Sequence, residues 1–198
     1  MGLFADAKPA TDKVTGCHVG VISKMVDLGT QEVTYDGDTK YQHKINVGFQ
    51  LQGVRREGEG DDGKAYNVPS MYYKKYTLSM DSRSALRKFI TAVKGSMTDE
   101  EASEFDILGL VGLNVMLNLG LSDNGKYVNL LSAMPAPGEP AAVEGAAVVY
   151  CINDGPQLPE GLADWEIEVI KTSPEYLALY PADRISDADV PQDNVPPF

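Results

Sequence analysis

Residues 71–95, MYYKKYTLSMDSRSALRKFITAVKG, constrain the fold more than any other stretch, because the hydrophobic period changes inside it. Tyr76, Leu78 and Met80 alternate with Tyr73, Lys75, Thr77 and Ser79, which is the two-residue period of a strand. Leu86, Phe89, Ile90 and Val93 then recur at helical spacing and place four apolar side chains on one face. Asp81 or Ser82 can cap that helix, and Gly95 can end it. A strand therefore runs directly into an amphipathic helix. Its outer face sets Tyr73 beside Lys75, with Tyr72 and Lys74 adjacent in sequence, and Arg83, Arg87 and Lys88 follow at once. Rings that stack on bases, interleaved with cations that meet phosphates, are what a groove for single-stranded nucleic acid needs. A core strand and core helix with a solvated charged face would carry the same pattern.

The remaining elements arrange themselves around this unit. Residues 14–28 read as a first strand with bends at Gly16 and Gly20, broken at Leu28-Gly29 and resuming over 31–35 before an Asp36-Gly37 hairpin signal. Residues 39–52 form a second strand, with Ile45, Val47, Phe49 and Leu51 facing a core and Lys44, Asn46, Gly48 and Gln50 facing out. Gly48 leaves room there for another backbone or a flat ligand. Residues 53–70 read as a polar, Gly-rich loop carrying Arg55, Arg56, Lys64 and Tyr66, either a flap over a bound strand or a solvated hairpin tip.

After Gly95, Thr98 and Glu101 make a capping box for a short helix over 97–105. Leu113, Val115, Leu117 and Leu119 form the core face of a fourth strand, Asn124-Gly125 a turn, and residues 127–133 a fifth strand. Three strands, a helix and two strands is the order of the OB fold, which binds oligonucleotides on the face of its second and third strands. The expected architecture is mainly β. It consists of a flexible arm over 1–13, a five-stranded OB-fold barrel over 14–134 with its helix between strands three and four, a linker with an appended strand and helix over 135–180, and a disordered acidic tail over 181–198.

Charge is polarised along the chain. The net charge is −12, yet residues 40–88 hold 10 basic against 5 acidic side chains, while residues 139–198 hold 2 against 12. No run of apolar residues is long enough to span a bilayer, and the N-terminus has no secretory apolar stretch. Cys17 and Cys151 have no metal or redox spacing and read as reduced structural thiols. His18 and His43 are the two histidines, both in strands, with no nucleophile–base–orienter set around them. The glycines of 58–63 do not fit a phosphate-cradling motif. The chain is expected to be neither an enzyme nor a cofactor or metal binder.

The chain ends in an acidic run, Asp187, Asp189 and Asp193, followed by Val195-Pro196-Pro197-Phe198. This tip resembles that of bacterial single-stranded DNA-binding proteins, which implies a docking peptide for replication or recombination proteins: Phe198 as anchor, its carboxylate as charge, the aspartates as steering groups. The body resembles phage-encoded OB-fold single-stranded DNA-binding proteins, on DLGTQ at 27–31, YYKKYTLSMDSRSALRKFI at 72–90 and SPEY at 173–176, over roughly residues 15–180. This implies a protein of the infected bacterial cytoplasm that protects single-stranded DNA in phage replication and recombination. Phosphates are then expected at Lys44, Arg55, Arg56, Lys64, Lys74, Lys75, Arg83 and Arg87, and stacked bases at Tyr66, Tyr72, Tyr73 and Tyr127. The tail is expected to recruit partners or to compete with DNA for the basic groove. No membrane partner is expected, and the oligomeric state is open. The rival is an OB-fold module that holds a protein partner without nucleic acid.

Overall fold

The computed structural model describes residues 13–60 and 63–181. The arm expected over 1–13, except Lys13, and the tail, except Pro181, lie outside the described residues, as do Asp187, Asp189, Asp193, Pro196, Pro197 and Phe198.

Two long strands start the chain, β1 (Gly16–Tyr35) and β2 (Asp38–Glu59). Asp36 and Gly37 join them with positive φ at both residues, 52° and 83°, the turn whose twist matches that of its strands. The expected break at Gly29 does not occur. Gly29 takes φ 67° within an irregularity of the β1–β2 register, and β1 continues through it. A side chain there would come within 2.5 Å of Ser173, so the glycine lets the C-terminal region sit directly on the strand.

β3 (Ala65–Thr77) pairs with β2 along most of its length. The stretch expected as a loop is accordingly paired: Arg55–Glu59 and Ala65–Pro69 form a two-stranded arm, with Arg56 opposite Val68 and Gly58 opposite Tyr66, offset from the sheet by a register shift between Gln50 and Arg55. An arm wetted on both faces needs no apolar side, which is why its sequence lacks the usual alternation.

β3 ends at Thr77, so Leu78 and Met80 lie beyond it. Helix α1 (Ala85–Lys94) follows, capped by Ser84, whose hydroxyl accepts the Arg87 backbone N–H at 3.0 Å. Asp81 and Ser82 do not cap it; Asp81 accepts the Arg83 backbone N–H instead. The capping box of Thr98 and Glu101 forms at α2 (Asp99–Ser103). A 3-10 turn (Ile107–Leu110) leads to β4 (Asn114–Leu121) and β5 (Val128–Pro135). The C-terminal region adds β6 (Val148–Tyr150), α3 (Asp164–Lys171) and α4 (Pro174–Leu179). Residues 162–179, whose sequence reads as a helix open to interruption at Ser173-Pro174, hold two helices that break there, and the Ser173 hydroxyl caps α4.

The result is a mainly β chain with one six-stranded sheet. Its path is β3-β2-β1-β4-β5 with antiparallel neighbours, and β6 runs parallel to β1. The sheet is open: among the described residues β3 and β5 do not pair, so the closed barrel expected from the sequence does not form. Side chains occupy the seam instead. Helix α1 packs against both β3 and β5, and the Tyr72 hydroxyl lies by the Leu130 backbone amide of β5.

Two apolar cores result. The main one gathers Ile22, Val47, Phe49, Leu86, Phe89, Ile90, Val115 and Leu117. Phe89 lies edge-on to Phe49 at 5.8 Å and tilted on Tyr76 at 5.6 Å. The second joins Val26 and Leu28 of β1 to Tyr150, Ile152, Ile170 and Tyr176. The C-terminal region is therefore packed on β1, not merely tethered to it. Each fully buried side chain of this kind stabilises by roughly 1.5–3 kcal/mol. Among the described residues no helix is long and apolar enough to cross a membrane.

Candidate nucleic-acid interface

The register places Lys44, Asn46, Gly48 and Gln50 of β2 opposite Thr77, Lys75, Tyr73 and Met71 of β3, all on the sheet face turned from the main core. Tyr73 is the exposed ring of that face, at 49%. A Cβ at Gly48 would meet its Cε1 at 2.9 Å, so the tyrosine lies across the glycine. The space at Gly48 is thus taken by the protein's own ring, which is thereby held in place rather than left free to rotate. Tyr66 repeats the device on the arm, its ring covering Gly58.

The C-terminal region covers part of this face through polar contacts. Lys24 Nζ sits 2.5 Å from Glu166 Oε2 and donates to the Gly161 carbonyl at 2.9 Å. Asn46 Nδ2 donates to Glu166 Oε1 at 2.8 Å, and Glu166 Oε2 also accepts the Ala163 N–H at the start of α3. The Gln50 side chain exchanges two hydrogen bonds with the Glu144 backbone, and Asn114 does the same with Ala141, so two amide side chains hold residues 141–144 as a neighbouring strand would. Asn46 and Gln50 are buried beneath this cover.

Tyr73 and Lys75 are left accessible. Lys75 Nζ lies 3.9 Å above the ring of Trp165, itself 39% exposed, and Lys24 Nζ lies 5.8 Å from the Tyr73 ring centre. Lys44 donates to Gln42 and Thr77, and burial, then the charge of Lys75, lower its ammonium below the ordinary lysine value. Two cations that repel each other beside an exposed ring gain most when an anion arrives.

The other expected contacts separate from this pair. Tyr72 points into the main core at 8% exposure, because it shares the parity of Tyr76. Lys74 lies on that same side, half-buried. Arg87 is buried and donates to the carbonyls of Met80, Met97 and Thr98 at 3.1, 2.6 and 2.8 Å. It ties α1 to the next turn, faces Asp99 at 3.5 Å, and is too deeply buried to meet a phosphate. Arg83 is exposed and pairs with Asp81. Arg55 is held in a two-pronged contact by Glu144, at 2.8 and 3.0 Å. Arg56, Tyr66, Leu51 and Val128 line a separate cavity of about 710 Å³ beside the arm. Lys64 is exposed near the tip of the arm, and Tyr127 is exposed between β4 and β5.

His43 lies between two carboxylates. His43 Nε2 lies 2.6 Å from Asp27 Oδ1, and its Nδ1 lies 3.6 Å from Glu175. The Asp27 contact raises the imidazole above its ordinary value against the pull of burial. Burial works to raise the Asp27 carboxyl, but the His43 contact and the Gly29 N–H hold it below the ordinary range.

Trp165 and Lys24 of this surface, with Glu166 behind them, escape sequence reasoning, while Asn46 is placed on the outer face but given no role. Trp165 reads as a packing residue of an amphipathic helix, whereas α3 buries Glu166 and Ile170, one residue further round. The signal that was there is Glu166 three residues after the first cap position, the place of a carboxylate that returns to its helix start.

No protein-family model matches the chain, nor does any curated protein or solved structure.

Proposed function

We propose that the chain binds single-stranded DNA without strong sequence preference, on the outer face of β2 and β3. The observation that carries the reading is Tyr73, half-exposed and laid across Gly48, with Lys75 next on the same face and Lys44 beside Lys75. A ring fixed in place loses little freedom when a base stacks on it, and each stacked base contributes about 1–3 kcal/mol. The strand path supports the same reading: with α1 between β3 and β4, it is the pairing order of an OB fold left open between its third and fifth strands. Glu144 sits on Arg55 as a phosphate would.

The phage-protein resemblance supports extending this reading to protection of single-stranded DNA during replication and recombination in an infected bacterium. Its Pro-Phe tail recruits partner proteins or competes with DNA. The test is fluorescence anisotropy with labelled oligo-dT and a duplex of equal length. Preference for the single strand supports the proposal; equal or absent binding removes it. A chain ending at Pro181 should bind oligo-dT more tightly at low salt if the tail competes.

One observation favours the rival reading of a protein-binding module. Leu121, Tyr127, Leu131 and Met134 are all exposed on β4, β5 and their turn. Under that reading the chain captures no oligonucleotide at any salt concentration.

A further inference from the structure

We propose that Tyr73 and Trp165 form a slot that takes one unpaired nucleobase between or upon their rings, with Lys75 moving to the adjoining phosphate. This rests on the single-strand reading and assigns to the C-terminal region a wall of the site, where the sequence gives it only packing. Both rings line one cavity of about 340 Å³, together with Lys24, Asn46, Lys75 and Glu166. That volume falls at the lower end of ligand sites, which run from about 300 to 1,000 Å³.

Three features point to a planar anionic ligand. Lys75 Nζ stands 3.9 Å over the Trp165 ring, so the indole face is already occupied by a mobile group that a base can replace. The Lys24 and Glu166 charges cancel each other in a buried contact, which leaves Lys75 as the uncompensated charge of the lining. Asn46 is buried in the same lining, and its Oδ1 has no hydrogen-bond partner, while its Nδ2 is committed to Glu166. An acceptor without a donor suits the N–H edge of a base that enters as the side chains around it shift. The slot is also prebuilt: Gly48 fixes Tyr73 from below, and the Lys24–Glu166–Gly161 contacts hold the start of α3 against the sheet.

Trp165 is the chain's single tryptophan, so its emission reports this slot alone. The experiment titrates the full chain with labelled oligo-dT of about 16 nucleotides and reads anisotropy and Trp165 emission in parallel. The slot predicts quenching that rises in step with anisotropy. Trp165→Ala and Tyr73→Ala should each weaken binding by roughly 5- to 150-fold, and Trp165→Phe should keep most of it. Binding seen by anisotropy with Trp165 emission unchanged, and with both alanine variants binding like the parent, overturns the slot while leaving single-strand binding in place. Absence of any anisotropy change removes both.

Discussion

The two regions of this molecule are held by different forces. The main core joins the five-stranded path to α1 almost entirely through apolar side chains, with the Phe89 ring in contact with both Phe49 and Tyr76. The C-terminal region has a small apolar core on β1, but much of its attachment is polar: Lys24 to Glu166, His43 to Glu175, Asp27 to the Ile152 N–H, Gln50 and Asn114 to the backbone of 141–144, and Thr30 to Glu175. Apolar contact gains or loses no proton as pH changes and is not screened by salt. Paired charges titrate and are screened, and they fail hardest when one partner is lost. The covering region should therefore come away under conditions that leave the main core intact, and it carries Trp165, one wall of the candidate site.

The largest contrast comes from pairing two substitutions. Phe89→Ala and Glu166→Ala should each cost about 3–5 kcal/mol, the first by opening a cavity and the second by stranding buried Lys24. Hydrogen exchange separates them: Phe89→Ala lowers protection throughout, whereas Glu166→Ala lowers it in α3 and α4 first. Adding Lys24→Met to Glu166→Ala should recover most of the loss. Equal loss of protection everywhere in Glu166→Ala would unite the two regions.

Arg87→Ala should cost roughly 1.5–3 kcal/mol in chemical denaturation, since its carbonyl partners lose a charged donor. It should leave oligo-dT affinity unchanged, which separates it from Lys75.

The pH dependence is smaller. His43 titrates above its unfolded value because of Asp27, so its contribution is complete below the unfolded pKa and is lost as pH rises through the higher folded one. Asp27 titrates below its unfolded value, so its contribution is present above that value and is lost as pH falls through the lower folded one. Attachment of α3 and α4 should be tightest between those limits. Protection of α4 amides, relative to their intrinsic exchange rates, should fall on the alkaline side, and His43→Gln should flatten that fall. The smallest effect belongs to Glu144→Gln, an exposed contact: stability should hardly move, while freeing Arg55 should raise oligo-dT affinity by less than about tenfold.

What could be read from the sequence was local. The helical spacing of Leu86, Phe89, Ile90 and Val93, the Thr98–Glu101 box and the Asp36-Gly37 turn each depend on residues within one or two turns of each other, and each appears where expected. Tyr72 is legible too, since the alternation that puts Tyr76 inside puts Tyr72 inside as well. Arg87 looked available because three carbonyls converging from two turns leave no mark in a sequence. The arm looked like a loop because water on both faces removes the apolar alternation. The Arg55–Glu144 and Lys24–Glu166 contacts join residues far apart in the chain, and no spacing rule reaches that far.

The most direct test of the central claim is the salt dependence of oligo-dT binding by the full chain. The account predicts an affinity whose logarithm falls linearly with the logarithm of salt concentration, by about 0.7 for each phosphate neutralised, with a shallower slope in Lys75→Ala. An affinity indifferent to salt, or no binding at low salt, contradicts it.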